Sequence, residues 1–374
     1  MKFFAVVFTM LFGGLAAQAQ SPELSISETK KLIQKARGST VDPRGWAIDL
    51  LDVLRAHNLG QTRENICSSI AIIDQESNFI ADPVVAGLGA LAEKTLRAKA
   101  DRVPIIGRMA LQFLETTPSP KDSYMERIRS ANTERDLDMT YRRMVEDASN
   151  KASLSLVVQS GLLNQLIEDR NDINTIGSMQ VSVKFALDHA KQGRWLPMSL
   201  KDVYAVRDEL YTRRGGMYYG VLQLLGYKTG YKRKIYRFAD YNAGRFAARN
   251  AAFQNIVSTL SKVKLAKDGD LLLYDKNQEA LKAVSKSEKA LRIIIANRQL
   301  NIDDKQLRVD LLKEKDAEFA ATRIYGAVRN LAKQPLNFAE IPTIELNSPK
   351  IKHHMTTKNF AESVERRYQR CIGK

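Results

Sequence analysis

An all-α fold follows from three features of the chain: apolar residues recur at helical spacing, capping residues precede those runs, and strand patterning is scarce. Asp42-Pro43 sets a capping carboxylate before a proline at the first helical position. Trp46, Leu50, Val53 and Leu54 then fall on one face, up to a stop at Gly60. Thr62 caps the next helix, where Ile66, Ile70 and Ile73 keep the spacing as far as Asp74-Gln75-Glu76-Ser77-Asn78-Phe79. Several further helices are expected from Ile80 to about Asp172, broken at Pro83, Pro104, Pro118 and Pro120. Beyond about Lys264 the chain is rich in Lys, Glu, Ala and Leu. One long helical pattern runs from about Asp303 to Lys333, stopping before Pro335, and a last helix is expected from Lys358 to Arg370. Only Leu271-Leu272-Leu273-Tyr274 and the segment from Ile341 to Leu346 read as short strands.

The N-terminus carries the pattern of a secretory signal: Met1-Lys2, an apolar run from Phe3 to Leu15, and the small-x-small triplet Ala17-Gln18-Ala19, with cleavage expected after Ala19. The run is shorter than the roughly 20 residues a spanning helix needs, and no cysteine follows the cleavage site to accept a lipid. No later segment is long and apolar enough to span a bilayer, so the expected product is a periplasmic protein that is not transmembrane. That compartment is oxidising, so Cys67 and Cys371 can pair and pin the C-terminus to an early helix; the alternative is two separate thiols. The net charge of +16 suits a polyanion. Lysines spread over solvated helix faces give the same total, and an exported protein meets the acidic polymers of a cell wall before any nucleic acid, which is not an expected partner.

Four short segments recur in a telling order. Ile72-Ile73-Asp74-Gln75-Glu76-Ser77-Asn78-Phe79 holds a Glu-Ser pair at a helix end with an aromatic two residues on; Gly177-Ser178-Met179-Gln180-Val181 follows, then Gly215-Gly216-Met217-Tyr218-Tyr219 and Tyr241-Asn242-Ala243-Gly244. Together they resemble the catalytic domain of lytic transglycosylases of the soluble type, a branch of the lysozyme-like superfamily. Two departures stand out: Ser178 where that family carries leucine, and Asp240 where it carries alanine. The resemblance covers roughly residues 62–254, with a long insertion between Phe79 and Gly177. Beyond the signal peptide at 1–19, the expected layout is a lysozyme-like domain over 20–263 with a helical insertion at about 80–172, and a helical C-terminal extension over 264–374 packed on it. The whole chain also resembles an uncharacterised family of exported Gram-negative proteins that share a C-terminal segment ending in Arg-Tyr with a cysteine nearby.

Breaking a glycosidic bond needs a carboxylic acid that is still protonated near neutral pH. Glu76 suits that need, because a helix C-terminus disfavours an anion and Ile72, Ile73 and Phe79 are near enough to desolvate it; both effects raise a pKa. The resemblance implies that Glu76 acts as acid and then base, with peptidoglycan glycan strands as substrate. The N-acetyl oxygen of muramic acid assists cleavage, and the C6 hydroxyl closes a 1,6-anhydro ring, so no second carboxylate is needed. By position it makes Ser77 a support, Met179 and Gln180 substrate-side contacts, and Tyr241 the residue that orients Glu76. Asn242 holds the turn or touches sugar. Tyr218 offers a ring to sugar or packs in the core.

A hydrolytic muramidase would need a second acid. Asp74 projects differently along its helix, and Asp240 reads either as a cleft residue or as a capping one. A wall-binding protein that kept the fold and lost turnover is the alternative from another class. The stretch from Tyr227 to Lys234 interleaves rings with cations and borders the groove or forms a solvated loop. No cofactor is expected, and no metal: His57, His189, His353 and His354 lack ligand spacing.

Overall fold

The computed structural model describes residues 22–102, 104–150, 175–275, 278–335, 338–345 and 355–373. The signal segment, residues 151–172 of the insertion, and His353-His354 lie outside them. The described chain is predominantly helical, as the periodicity requires. Among its helices none is long and apolar enough to cross a membrane.

The first part comprises α1 (Ile26–Ala36), α2 (Pro43–Ala56) and α3 (Arg63–Glu76). Asp42 accepts from the Gly45 N–H and Thr62 from the Asn65 N–H, so both caps act as expected. Helix α2 ends at Ala56, short of Gly60, because Asn58 turns left-handed at φ 52° and the Leu59 N–H folds back to the Leu54 carbonyl at 2.8 Å.

The described part of the insertion holds α4 (Leu88–Ala100), α5 (Pro104–Thr116), the two-residue strands β1 (Pro118–Ser119) and β2 (Asp122–Ser123), α6 (Tyr124–Ser130) and α7 (Glu134–Asn150). These elements enclose their own core around Leu114, Tyr124, Met125, Ile128 and Met144. They are tied to the rest through α7, where Arg142 reaches Asp208 at 2.7 Å and Asp138 receives Arg207 at 2.9 Å.

A second antiparallel pair, β3 (Thr175–Ile176) and β4 (Val181–Ser182), leads into α8 (Val183–Lys191), α9 (Leu200–Leu210), α10 (Arg213–Leu225), α11 (Lys234–Ala243) and α12 (Ala247–Ser261). The rest is α13 (Lys286–Asn297), α14 (Asp304–Leu311), a 3-10 turn at Ala317–Ala321, α15 (Arg323–Ala332) and α16 (Thr357–Ile372).

Three expectations for the C-terminal region are corrected. The single helix over 303–333 is α14, the 3-10 turn and α15, interrupted where Glu314 turns inward and is wholly buried. Leu271-Leu272 do not form a sheet strand: their amides donate to the Glu314 carboxylate, the second at 3.1 Å, and the segment closes with a lone bridge from Tyr274 to Ala280. The segment from Ile341 likewise makes one bridge, Glu345 with Thr356.

The C-terminal region divides its contacts. Leu271, Leu291, Leu307, Phe319 and Ile324 form a core with the far end of α12, around Phe253 and Val257. Helix α16 returns to the first core, where Phe360, Val364 and Tyr368 pack with α3 and α11. Its start is fixed by a capping box between Thr356 and Asn359. Cys67 on α3 and Cys371 on α16 are disulfide-bonded, with Cα atoms 5.5 Å apart and a sequence separation of 304.

Candidate functional site

Glu76 is the last residue of α3 and half-buried, and the chain around it is held on every side. Ser77 terminates the helix: its N–H and its hydroxyl both donate to the Ile73 carbonyl at 3.1 Å. Asn78 and Phe79 then take left-handed conformations, φ 54° and 62°, which reverse the chain at once. That reversal sends Phe79 into the core, edge-on to Trp46 with centroids 5.3 Å apart, so its ring packs rather than faces a ligand. Asp74 is buried between Arg37 at 2.6 Å and Arg367 at 3.0 Å; Arg37 also donates to Asn78, and Ser363 donates to Gln75 at 2.9 Å. Asp74 therefore serves as the anchor of three helices.

The Gly177–Gln180 loop joins β3 to β4 and lies directly on the end of α9 and the backbone of α10. A Cβ at Gly177 would sit 2.1 Å from the Leu210 carbonyl oxygen, and one at Gly220 would sit 2.4 Å from the Met179 sulfur. Gly216 approaches Ser178 in the same way, 2.8 Å from Cβ position to hydroxyl. That crowding accounts for the small Ser178, which is fully buried. Met179 is also fully buried, so its side chain is core; what it gives the site is its carbonyl, which accepts the Tyr241 hydroxyl at 2.7 Å. Gln180, left-handed at φ 49° and half-buried, braces the loop through the Gly177 carbonyl at 3.3 Å and the Thr175 hydroxyl at 3.1 Å.

Burial drives the Tyr241 phenol well above its usual pKa, and the charge of Glu76 pushes it further the same way. This coupling brings α3, the β3–β4 loop and α11 to one place, joining three of the four sequence segments. The third segment contributes through its glycines, not its ring. Tyr218 is two residues from both Gly216 and Gly220, about 200° around the helix. Its ring packs against His57, centroids 4.3 Å apart, and against Tyr219 at 5.1 Å. Its carbonyl contacts His57 Nε2 at 2.8 Å, and burial lowers the His57 pKa.

Asn242 accepts from the Thr357 hydroxyl at 2.8 Å, so it holds the turn against α16. Asp240 is a capping residue. It accepts from the N–H groups of Phe246 at 3.1 Å and Ala248 at 2.7 Å, at the start of α12, and from the hydroxyls of Tyr227 at 3.0 Å and Tyr231 at 2.8 Å. Full burial raises its pKa to about 6, against the pull of those donors. The ring-and-cation stretch thus places two tyrosines inward on Asp240, and Arg237 lies over Tyr227 at 4.7 Å.

Gln223 donates to the Tyr241 carbonyl at 3.1 Å, and this residue, with Arg37, Ser363 and Arg367, was not foreseen. Polar residues on helix faces carry no periodicity that names their partners; the only hint was the Arg-Tyr ending of the tail. Among the described residues no group of three or more His, Cys, Asp or Glu is arranged to hold a metal ion. A depression of about 400 Å³ lined by Arg127, Asp136, Thr140 and Arg143 lies on the insertion and includes none of the candidate residues.

A mainly helical protein with a half-buried glutamate, Glu76, acting on the buried Tyr241 and with its last helix bonded back onto α3 is therefore the class at hand. The chain belongs to the family described as "Protein of unknown function (DUF1615)", whose model matches residues 39–374. It is similar to the "Uncharacterized protein YaiW" of Escherichia coli (strain K12), 36% identical over 376 residues, which span 98% of this chain and 97% of that protein. No solved structure matches it.

Proposed function

We propose that this is an exported, periplasmic enzyme with a lysozyme-like catalytic domain that cleaves the glycan strands of peptidoglycan without water. What supports this reading is that the charge of Glu76 acts on the buried Tyr241 phenol, whose hydroxyl is fixed on the Met179 carbonyl. In the first step the Glu76 carboxylic acid gives its proton to the leaving glycosidic oxygen while the N-acetyl oxygen of muramic acid attacks the anomeric carbon. In the second the Glu76 carboxylate takes the proton of the C6 hydroxyl, which displaces the N-acetyl oxygen and closes the 1,6-anhydro ring. Tyr241 keeps a polar group near Glu76 without competing for its proton.

The non-hydrolytic outcome is favoured over a muramidase because the two nearby acids are spent elsewhere. Asp74 sits between two arginines, and Asp240 accepts hydrogen bonds from four donors. The binding-only alternative draws on Met179 and Asn242, whose polar or apolar faces are engaged inside the protein. Zymography on purified sacculi separates the readings. Wild type is expected to clear the wall and release anhydro-muropeptides by mass spectrometry, and Glu76→Gln to bind without clearing. Reducing ends would identify a muramidase, and no clearing by wild type would leave a binder.

A further inference from the structure

The turn between α8 and α9 leaves a large apolar tip uncovered. Trp195 is 91% exposed, with Leu196 at 55% and Leu200 at 61%. The other tryptophan of the chain, Trp46, is buried. The tip is a built turn: Gln192 N–H donates to the His189 carbonyl and Arg194 N–H to the Lys191 carbonyl, each at 3.1 Å. It also stands open at Gly193, where a Cβ, at φ 75°, would meet nothing within 4 Å. Residues 191–201, Lys-Gln-Gly-Arg-Trp-Leu-Pro-Met-Ser-Leu-Lys, carry three cations and no acid. Lys191 and Arg194 lean on acids outside the segment, Asp188 at 3.4 Å and Asp202 at 3.2 Å, and Lys201 is exposed at the start of α9.

We propose that this tip docks on the surface of a bilayer containing anionic phospholipid, with Trp195, Leu196 and Leu200 entering the headgroup–acyl boundary and Lys191, Arg194 and Lys201 meeting the phosphates. A tryptophan left 91% exposed on an open turn lacks the enclosing surroundings that a small-molecule or sugar slot needs. An indole with leucines, ringed by Lys and Arg, is instead the composition of an interfacial anchor. With Asp188 and Asp202 counted against Lys191, Arg194 and Lys201 the tip keeps one cation in surplus, which favours an anionic surface over a neutral one. The inference is independent of the chemistry at Glu76.

The test uses the full chain with vesicles of phosphatidylcholine, alone or with one quarter phosphatidylglycerol, the acyl chains brominated so that they quench an inserted indole. Trp195 emission is expected to shift to the blue and be quenched with the anionic vesicles. Trp195→Phe, which leaves Trp46 alone, is expected to show neither change. Any membrane affinity of the N-terminal segment is common to all variants, whereas quenching at residue 195 reads the tip. Leu196→Ser combined with Leu200→Ser keeps the reporter and should weaken the response about tenfold or more. Lys191→Gln and Lys201→Gln should each weaken it about fivefold. Unchanged Trp195 emission with both vesicle types overturns the proposal. So does an equal response to the neutral vesicles, or a blue shift that follows protein concentration without lipid, which would assign the tip to a second copy of the chain.

Discussion

Two glutamates end helical turns in this molecule, and they have opposite fates. Glu314 is sealed inside the C-terminal core, with its carboxylate taking the amides of Leu271 and Leu272 and the Tyr274 hydroxyl at 2.5 Å; burial raises its pKa to about 7. Glu76 is half-buried at the end of α3, beside a tyrosine engaged with a backbone carbonyl. A displaced pKa is often used to find reactive groups, yet Glu314, pushed up to about 7, is wholly buried and has no route to a substrate. What separates them is burial. Glu314 is wholly buried and substitutes for a missing strand, whereas Glu76 is half-buried at a helix end whose neighbours 74, 75 and 78 are tied down.

That contrast can be broken most sharply at Glu76. Glu76→Gln is expected to lower glycan cleavage by about 10²–10⁴-fold while leaving the melting temperature unchanged, since only a proton donor is lost. Loss of activity with equal loss of melting temperature would make Glu76 structural, as Glu314 is. Removing the disulfide by Cys67→Ser with Cys371→Ser should cost up to about 5 kcal/mol in urea unfolding, because a loop of that length is entropically expensive to close. Wild type and variant with the same midpoint would show that α16 is held by its packing alone.

Glu314 and Asp240 set the pH dependence. With a folded pKa of about 7 against an ordinary 4.5, Glu314 holds a proton that the unfolded chain has released between those values. Stability therefore falls as pH rises from about 4.5 to 7, by on the order of 3 kcal/mol in all. Asp240, about 6 against 3.8, adds a loss of the same sign at lower pH. In Glu314→Gln the decline between pH 6 and 7 should vanish while that below pH 6 persists; thermal melts across pH 4–8 measure it. The smallest effect is expected at Tyr241→Phe, which removes one buried hydrogen bond worth about 1 kcal/mol and lowers cleavage without abolishing it.

The helix starts at Asp42 and Thr62 were legible because a cap and its periodic face lie within a few residues of each other. The Glu-Ser helix end and the Tyr-Asn turn were equally local. The misread segments share a different cause. Nothing near Leu271 says that its amides will be met by a side chain 43 residues later, and nothing in the 303–333 periodicity says that Glu314 will leave the helix to meet them. Met179 is misread for a related reason: the sequence shows a thioether beside glycines, but only packing shows that it is buried against Gly220, and that the ring of Tyr218, which the sequence leaves open between sugar and core, lies on His57. The sequence leaves Asp240 open between a cleft residue and a helix-surface or capping one; it is a buried cap, and the four donors it gathers come from residues 227 to 248.

Helix α16 gives the molecule an order of assembly. Its Thr357, Ser363 and Arg367 reach Asn242, Gln75 and Asp74, and its Cys371 reaches Cys67. The pieces that frame Glu76 are thus brought together by a helix about 290 residues further along the chain. Contacts so distant in sequence form late and slowly, so α3 would fold well before α16 could hold its end in place.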